Sequence, residues 1–224
     1  FLLIAIYVND EFSYDRFYKE SGDIYRMEFK GELGGSTFVT ALSSAPAAKA
    51  MVDEFPEVND ATRMRSTNTW LVNRKNNLNK FKFENVSWAD HNIFSFFGIS
   101  LVHGDPENVL NKPNQLALNA TMAKTIFGDI NPIGEIVMLD NKEQYVVSAV
   151  FEDIPNNSHF NYKMFLSMES LEESKQSVWL SVNFTTYIRL NEGADYKNIE
   201  AMLPEMAQRN MGDEIQKMLG LDNV

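Results

Sequence analysis

Apolar and polar positions along the chain predict strands and helices in mixed order. Asp23–Lys30 alternates apolar and polar, the period of a half-buried strand, and Gly31, Gly34 and Gly35 close it. After a second apolar stretch at Phe38–Leu42, Ser44 offers a capping hydroxyl and Pro46 suits a first helical turn. Ala48, Met51, Val52 and Phe55 then recur on one helical face, and Pro56 ends a helix of about ten residues. From Ala61 to Val86 the pattern gives short strands, with Trp70–Val72 and the Phe81 and Phe83 positions as the arms of a hairpin across an Asn-rich link. Leu116 and Leu118 mark a further strand, followed by a short helix over Thr121–Phe127 that Gly128 stops. Ile136–Leu139 and Tyr145–Phe151 flank Asp140-Asn141-Lys142 as the clearest hairpin, with Tyr145, Val147, Ala149 and Phe151 on one face. A strand at Thr186–Leu190 precedes a helix capped by Asp195, with Ile199, Met202, Leu203 and Met206 as its apolar face and a kink at Pro204. Helices interspersed with hairpins exclude a purely parallel sheet, so the fold class is α+β.

The first eight residues, Phe1–Val8, are all apolar. At ~1.5 Å per residue they span about 12 Å of helix, short of the ~30 Å of a bilayer core. The basic leader and small-residue cleavage site of a signal peptide are missing. The segment is therefore either a buried N-terminal element or the trailing end of a transmembrane helix. No later window reaches membrane-spanning length. A content of 44% hydrophobic and 12% aromatic residues places the chain among globular proteins rather than disordered ones. A net charge of -11 with no basic stripe argues against nucleic acid as a partner. With no Cys, disulfides, thiolate zinc sites and Cys nucleophiles are excluded.

Candidate chemistry is sparse. His91, His103 and His159 are scattered and make no metal-ligand spacing, so no metal and no cofactor is expected. No nucleophile elbow, phosphate-binding loop or dinucleotide fingerprint occurs. Asp10, Glu11 and Asp15, like Asp53, Glu54 and Glu57, suit solvated acidic faces better than paired catalytic carboxylates. Met202, Met206, Met211 and Met218 suit gap-filling packing better than soft-metal binding, and Phe94, Phe96 and Phe97 suit a core better than an exposed patch. No catalytic residue is assigned.

The order of these weak signals is more specific than any one of them. YVNDEFSYDRFYKESGDIYRME, ALSSAPAAKAMVDEFPEV, WADHNIFSFFGISLVHGDP, AKTIFGDINPIGEIVMLD followed by YVVSAVFEDIP, and YIRLNEGADYKNIEAML together resemble the MacB-like, FtsX-superfamily ABC transporter permeases of Bacteroides type, over nearly the whole chain. The resemblance implies a discontinuous porter-like α/β subdomain with an inserted, mostly-β sabre-like subdomain. Residues 1–20 become the end of a transmembrane or stalk helix and its junction, with Val8, Tyr14, Asp15 and Phe17 as junction candidates. Residues 21–66 and 159–224 form the porter-like part, and 67–158 the insert. Trp70, Phe81, Phe83, Tyr145, Val147 and Phe151 should then share one core, and Ile24, Met51, Phe55, Ile188, Ile199 and Leu203 another. The implied function is that of a non-catalytic periplasmic domain of an inner-membrane permease, coupling cytoplasmic ATP hydrolysis to export or mechanotransmission. Its implied partners are a cytoplasmic ATP-binding subunit or domain, a second permease copy, a periplasmic adaptor protein and the membrane through flanking helices. A stand-alone extracytoplasmic ligand-binding or adhesion module is the alternative, and an enzyme would need convergent polar groups that the sequence lacks.

Overall fold

The computed structural model describes residues 21–33, 36–67, 69–75, 79–155, 158 and 161–218, so the junction candidates Val8, Tyr14, Asp15 and Phe17 lie outside the described residues. In chain order, β1 (Ile24–Arg26), β2 (Phe29–Leu33), β3 (Ser36–Thr40) and β4 (Ser43–Ser44) lead to helix α1 (Ala47–Glu54). Strands β5 (Val58–Thr67), β6 (Trp70–Arg74), β7 (Phe81–Phe83) and β8 (Val86–Ala89) precede α2 (Ile93–Phe97). Strands β9 (Leu101–Gly104) and β10 (Gln115–Asn119) precede α3 (Ala120–Phe127). Finally β11 (Ile136–Leu139), β12 (Glu143–Phe151), β13 (Met164–Ser167) and β14 (Val182–Leu190) precede α4 (Tyr196–Met218). The chain groups into two compact units, one over Met64–Leu171 and one over Asp23–Arg63 with Glu172–Val224.

In the Met64–Leu171 unit the strand order is β5 (its last residues), β8, β13, β10, β12, β11, β6, β7, with β9 also on β12. Pairs β8/β13 and β10/β12 are parallel, whereas β5/β8, β10/β13, β11/β12, β6/β11, β6/β7 and β9/β12 are antiparallel. Turn chemistry fixes the β11–β12 hairpin: Asp140 and Asn141 hold φ of 50° and 56°, the left-handed values that Asp and Asn tolerate. Helix α3 starts where Asn119 Oδ1 accepts the Met122 amide at 3.0 Å and stops at Gly128, φ 67°. Its Met122, Ala123, Ile126 and Phe127 cover one sheet face, against Leu116, Leu118, Val137, Leu139, Met164 and Leu166 among others.

The opposite face carries an aromatic cluster: Phe94 of α2 lies 5.4 Å from Phe151 and 5.7 Å from Phe165, and the last two are 5.4 Å apart. This corrects the expectation that Phe151 shares a core with Tyr145 and Val147. Between β10 and β12, Leu116 pairs with Val147 but Ala117 pairs with Ala149, so Ser148 is an extra residue in β12. Such a bulge advances the pleat by one position. Tyr145 and Val147 therefore share the α3 face with Val150, while Phe151 turns to the other. Ser148 Oγ donates to the Leu116 carbonyl at 3.1 Å, which ties the bulge to β10. On the opposite edge Gly104 pairs with Ala149 at φ 112°, and a Cβ there would stand 2.7 Å from the Ser148 carbonyl oxygen.

In the other unit, β14 lies between β1 and the first part of β5, and β4 pairs with β14 beyond β1. Met51, Phe55, Val58, Ile188, Leu190, Ile199 and Met206 make its core, with Tyr25, Met27 and Leu203 packed against it. Tyr25 takes the place expected for Ile24 because successive strand residues face opposite ways, and the alternation that enters this core runs through Tyr25 and Met27. Strand β5 is one ten-residue element where the sequence suggested shorter pieces. Its charged residues occupy the less buried positions between Val58, Thr62 and Met64, so they read as breaks without being any. Arg63 donates to the carbonyls of Ala45 at 2.7 Å and Ser174 at 3.0 Å, and its guanidinium lies 5.7 Å from the Phe184 ring centre. Helix α4 begins where Asp195 Oδ1 accepts the Lys197 amide at 3.0 Å, and it continues through Pro204. Met202, expected on its apolar face, is 42% exposed. Between β1 and β4 the chain makes a separate two-stranded hairpin, β2–β3.

Gly104→Ala should lower the urea midpoint of unfolding by an amount equivalent to about 1–3 kcal/mol, since the substitution adds both a left-handed strain and a backbone clash. An unchanged midpoint would show that the β9–β12 edge relaxes freely and does not hold the bulge.

Candidate functional site

The described residues offer little for catalysis. No group of three or more His, Cys, Asp or Glu among them is placed to hold a metal ion. His91 and His103 are exposed, and His159 lies outside the described residues. Asp53 pairs with Lys49 at 2.6 Å, and Glu54 pairs with Arg209. Phe94, Phe96 and Phe97 are buried core, and so are Met206 and Met211. Among the described residues, two titrating groups depart from their ordinary behaviour. Lys82 beside Glu84 holds that exposed carboxyl below the usual carboxylate value through a hydrogen bond and its charge. Burial pushes the Tyr145 phenol up, and the Glu143 carboxylate, 3.4 Å from its oxygen, adds to the shift.

What remains is surface shape. In the Met64–Leu171 unit a cleft of about 290 Å³ lies between β9 and the end of α3, lined by Val102, His103, Ala123, Lys124, Ile130 and Pro132 among others. In the other unit a cleft of about 280 Å³ follows β1 and α4, where the Tyr25 and Tyr196 ring centres are 5.2 Å apart and Glu28 and Glu200 stand in the lining. Beside it, at the base of the β2–β3 hairpin, is an apolar groove lined by Met27, Phe29, Trp179, Leu203, Met206 and Met211. Phe38 and Val39 of the hairpin are 45% and 58% exposed, and Phe38 stacks across Gly31 with its ring centre 5.9 Å from that of Phe29.

The sequence reading missed this groove, and it misread Ser44. The cap position of α1 is Pro46, with no side-chain cap, and Ser44 Oγ is buried without a hydrogen-bond partner among the described residues. Ser43 takes the bonds instead, meeting Thr186 Oγ1 at 2.6 Å and donating to the Phe184 carbonyl at 3.1 Å. Two adjacent serines give no sequence signal for which one the sheet will use.

A unit built from two separated stretches of chain, with the other unit between them, and the motif order noted above both bear on the family. The sequence profile described as the MacB-like periplasmic core domain matches residues 1–206. The chain belongs to that family. Solved structures agree at the level of fold. A domain of a candidate permease from Porphyromonas gingivalis superposes with TM-score 0.78 at 20% identity, over 86% of this chain and 83% of that one. The periplasmic region of MacB from Actinobacillus actinomycetemcomitans gives 0.58 at 16% identity, over 90% and 94%. The extracellular domain of the noncanonic ABC-type transporter YknZ from Gram-positive bacteria gives 0.56 at 11%, over 86% and 95%. No curated protein matches the sequence. The large mixed sheet with few helices agrees with the α+β class read from the pattern, and the family is the one that the motif order resembles.

The raised Tyr145 pKa has a pH consequence for this domain. The fold favours the neutral phenol, so its contribution is complete below the ordinary tyrosine value of about 10 and is lost as pH rises through the higher folded value. Urea midpoints measured from neutral pH into this alkaline range should fall less steeply for Tyr145→Phe than for the parent. Identical slopes would show that Tyr145 ionises as freely in the fold as in the unfolded chain.

Proposed function

We propose that this MacB-like domain is the periplasmic part of an ABC transporter permease of the bacterial inner membrane, and that it couples ATP hydrolysis on the cytoplasmic side to export or mechanotransmission without chemistry of its own. The match of residues 1–206 to the family profile is the observation that carries the reading. Residues 1–20 then end a membrane or stalk helix at a junction that includes Val8, Tyr14, Asp15 and Phe17. Residues 21–66 and 159–224 correspond to the porter-like part, and 67–158 to the sabre-like insert. One strand departs from these bounds: β13 (Met164–Ser167) has its ladder bonds to β8 and β10, so we move it from the porter-like part to the insert. The partners are a cytoplasmic ATP-binding subunit or domain, a second permease copy, a periplasmic adaptor, and the membrane through flanking helices.

The absence of Cys from this chain makes both parts of the reading testable. In intact cells carrying the whole permease with its other cysteines removed, a membrane-impermeant maleimide should label Val39→Cys, which is 58% exposed, and should reach the fully buried Val72→Cys only after denaturation. Failure to label Val39→Cys until the inner membrane is opened would place the domain on the cytoplasmic side. For coupling, Ile199→Asp puts a charge into a site 3% exposed and should unfold its unit. In the reconstituted transporter it should abolish export while basal ATP hydrolysis continues. Unimpaired export would reject the coupling role.

A further inference from the structure

The groove at the base of the β2–β3 hairpin has the form of a peptide-docking site. Its walls are apolar, and three of them are the methionines Met27, Met206 and Met211, whose flexible thioethers adapt to different apolar shapes. Ser44 and Ala47 belong to the same lining. Ser44 is 1% exposed, and its hydroxyl has no partner among the described residues. Ala47 opens an eight-residue helix whose first turn has neither a side-chain cap nor an acidic residue. The Ser44 hydroxyl is a donor that an oxygen acceptor satisfies.

Size and charge narrow the occupant. The groove holds about 90 Å³, room for roughly six to nine water-sized atoms at about 10–15 Å³ each, which is one leucine or phenyl side chain with its carbonyl. No Lys or Arg lines it, and its charged member is the exposed Glu28, 4.0 Å from Arg26. The unit that contains it has 16 Asp or Glu against 9 Lys or Arg, a difference of -7, whereas Met64–Leu171 has 11 against 9, a difference of -2. That balance repels an anionic head and favours a cationic neighbour. The exposed Phe38 beyond Phe29 continues the apolar surface away from the groove.

We propose that this groove docks an extended segment of a partner protein, taking one bulky apolar residue flanked by Lys or Arg, with that residue's peptide carbonyl turned to Ser44 and the start of α1. The side chain supplies the buried apolar area, the carbonyl satisfies the unpartnered Ser44 hydroxyl, and the basic flanks face Glu28 and the acidic surface.

Methionine methyl resonances provide a direct test on the intact 224-residue chain. The probe is the acetylated and amidated tripeptide Lys-Leu-Lys, with Lys-Ser-Lys and Glu-Leu-Glu as controls. Saturable shifts are expected at Met27, Met206 and Met211 and not at Met122, Met138 or Met164 of the other unit, and both controls should bind at least about tenfold more weakly. Ser44→Ala should weaken Lys-Leu-Lys by about threefold to tenfold, the effect of one lost hydrogen bond. Ala207→Phe, which fills the groove from α4, should abolish the shifts. The proposal is overturned if the intact chain shows no saturable shifts with millimolar peptide, if Lys-Ser-Lys or Glu-Leu-Glu binds equally well, or if Ala207→Phe leaves binding intact. Because the wild-type chain and the three peptides decide the matter alone, a variant that fails to fold does not protect the idea.

Discussion

The extra residue at Ser148 decides how the Met64–Leu171 unit can have two covered faces. A strand of period two offers each neighbour one set of side chains, and without the bulge Val147 and Phe151 would point the same way. With it, Val150 joins Tyr145 and Val147 beneath α3, and Phe151 reaches Phe94 and Phe165 on the far side. A large ring and a small β-branched side chain exchange faces, and each lands where the volume suits it. Aromatic contacts of this kind add about 0.5–1.5 kcal/mol each beyond their buried area, so the cluster outweighs the cost of one unpaired strand residue. The bulge also requires Gly104 opposite it and a hydrogen bond from Ser148 to β10, so one insertion explains two residues that no core argument would select.

The same feature marks how far the sequence can be read. Turn chemistry at Asp140-Asn141 and the Gly128 stop were legible because each depends on a few neighbouring residues. So was the hairpin between Trp70–Val72 and Phe81–Phe83, since its arms are close in the chain; its register, Trp70 opposite Phe83 and Val72 opposite Phe81, comes from the structure. The bulge was not, because it appears only when β12 is laid against β10, some thirty residues away, and a period-two reading carried across Ser148 assigns Phe151 to the wrong face. Ile24 and Tyr25 were confused for a related reason: adjacent apolar residues at a strand start leave the inward one undetermined until α1 and α4 are in place. The apolar groove was invisible in the same way. Met27, Trp179 and Met211 are unremarkable in the sequence, and only the packing of α4 across the start of the chain brings them together.

Family membership was legible for a different reason. No single residue type or spacing identified it; the order of short helix, glycine stop, Pro-Ile-Gly and hairpin did. A catalytic protein leaves a mark because chemistry needs particular atoms within hydrogen-bond reach. The role proposed above, transmitting motion, needs only stiff bodies and surfaces for neighbours, and many sequences supply these. The solved relatives illustrate this, keeping the fold at 11–20% identity. For such a domain the informative departures are apolar groups kept at the surface and polar groups left unpartnered inside.

The β2–β3 hairpin is such a departure. An isolated two-stranded hairpin is at best marginally stable in water, and this one pairs with no third strand among the described residues. Its internal support is the Phe38 ring over Gly31 and against Phe29, which leaves nearly half of Phe38 in solvent. A polar residue at Val39 would serve solubility better and would keep the backbone pairing. A hairpin retained for stability alone would bury such side chains, whereas one retained for contact must show them. Phe29 belongs both to this pair and to the groove wall, so the hairpin and the groove are physically one surface. Within this unit the features least explained by folding, an exposed aromatic, an uncapped helix and an unused buried hydroxyl, lie side by side.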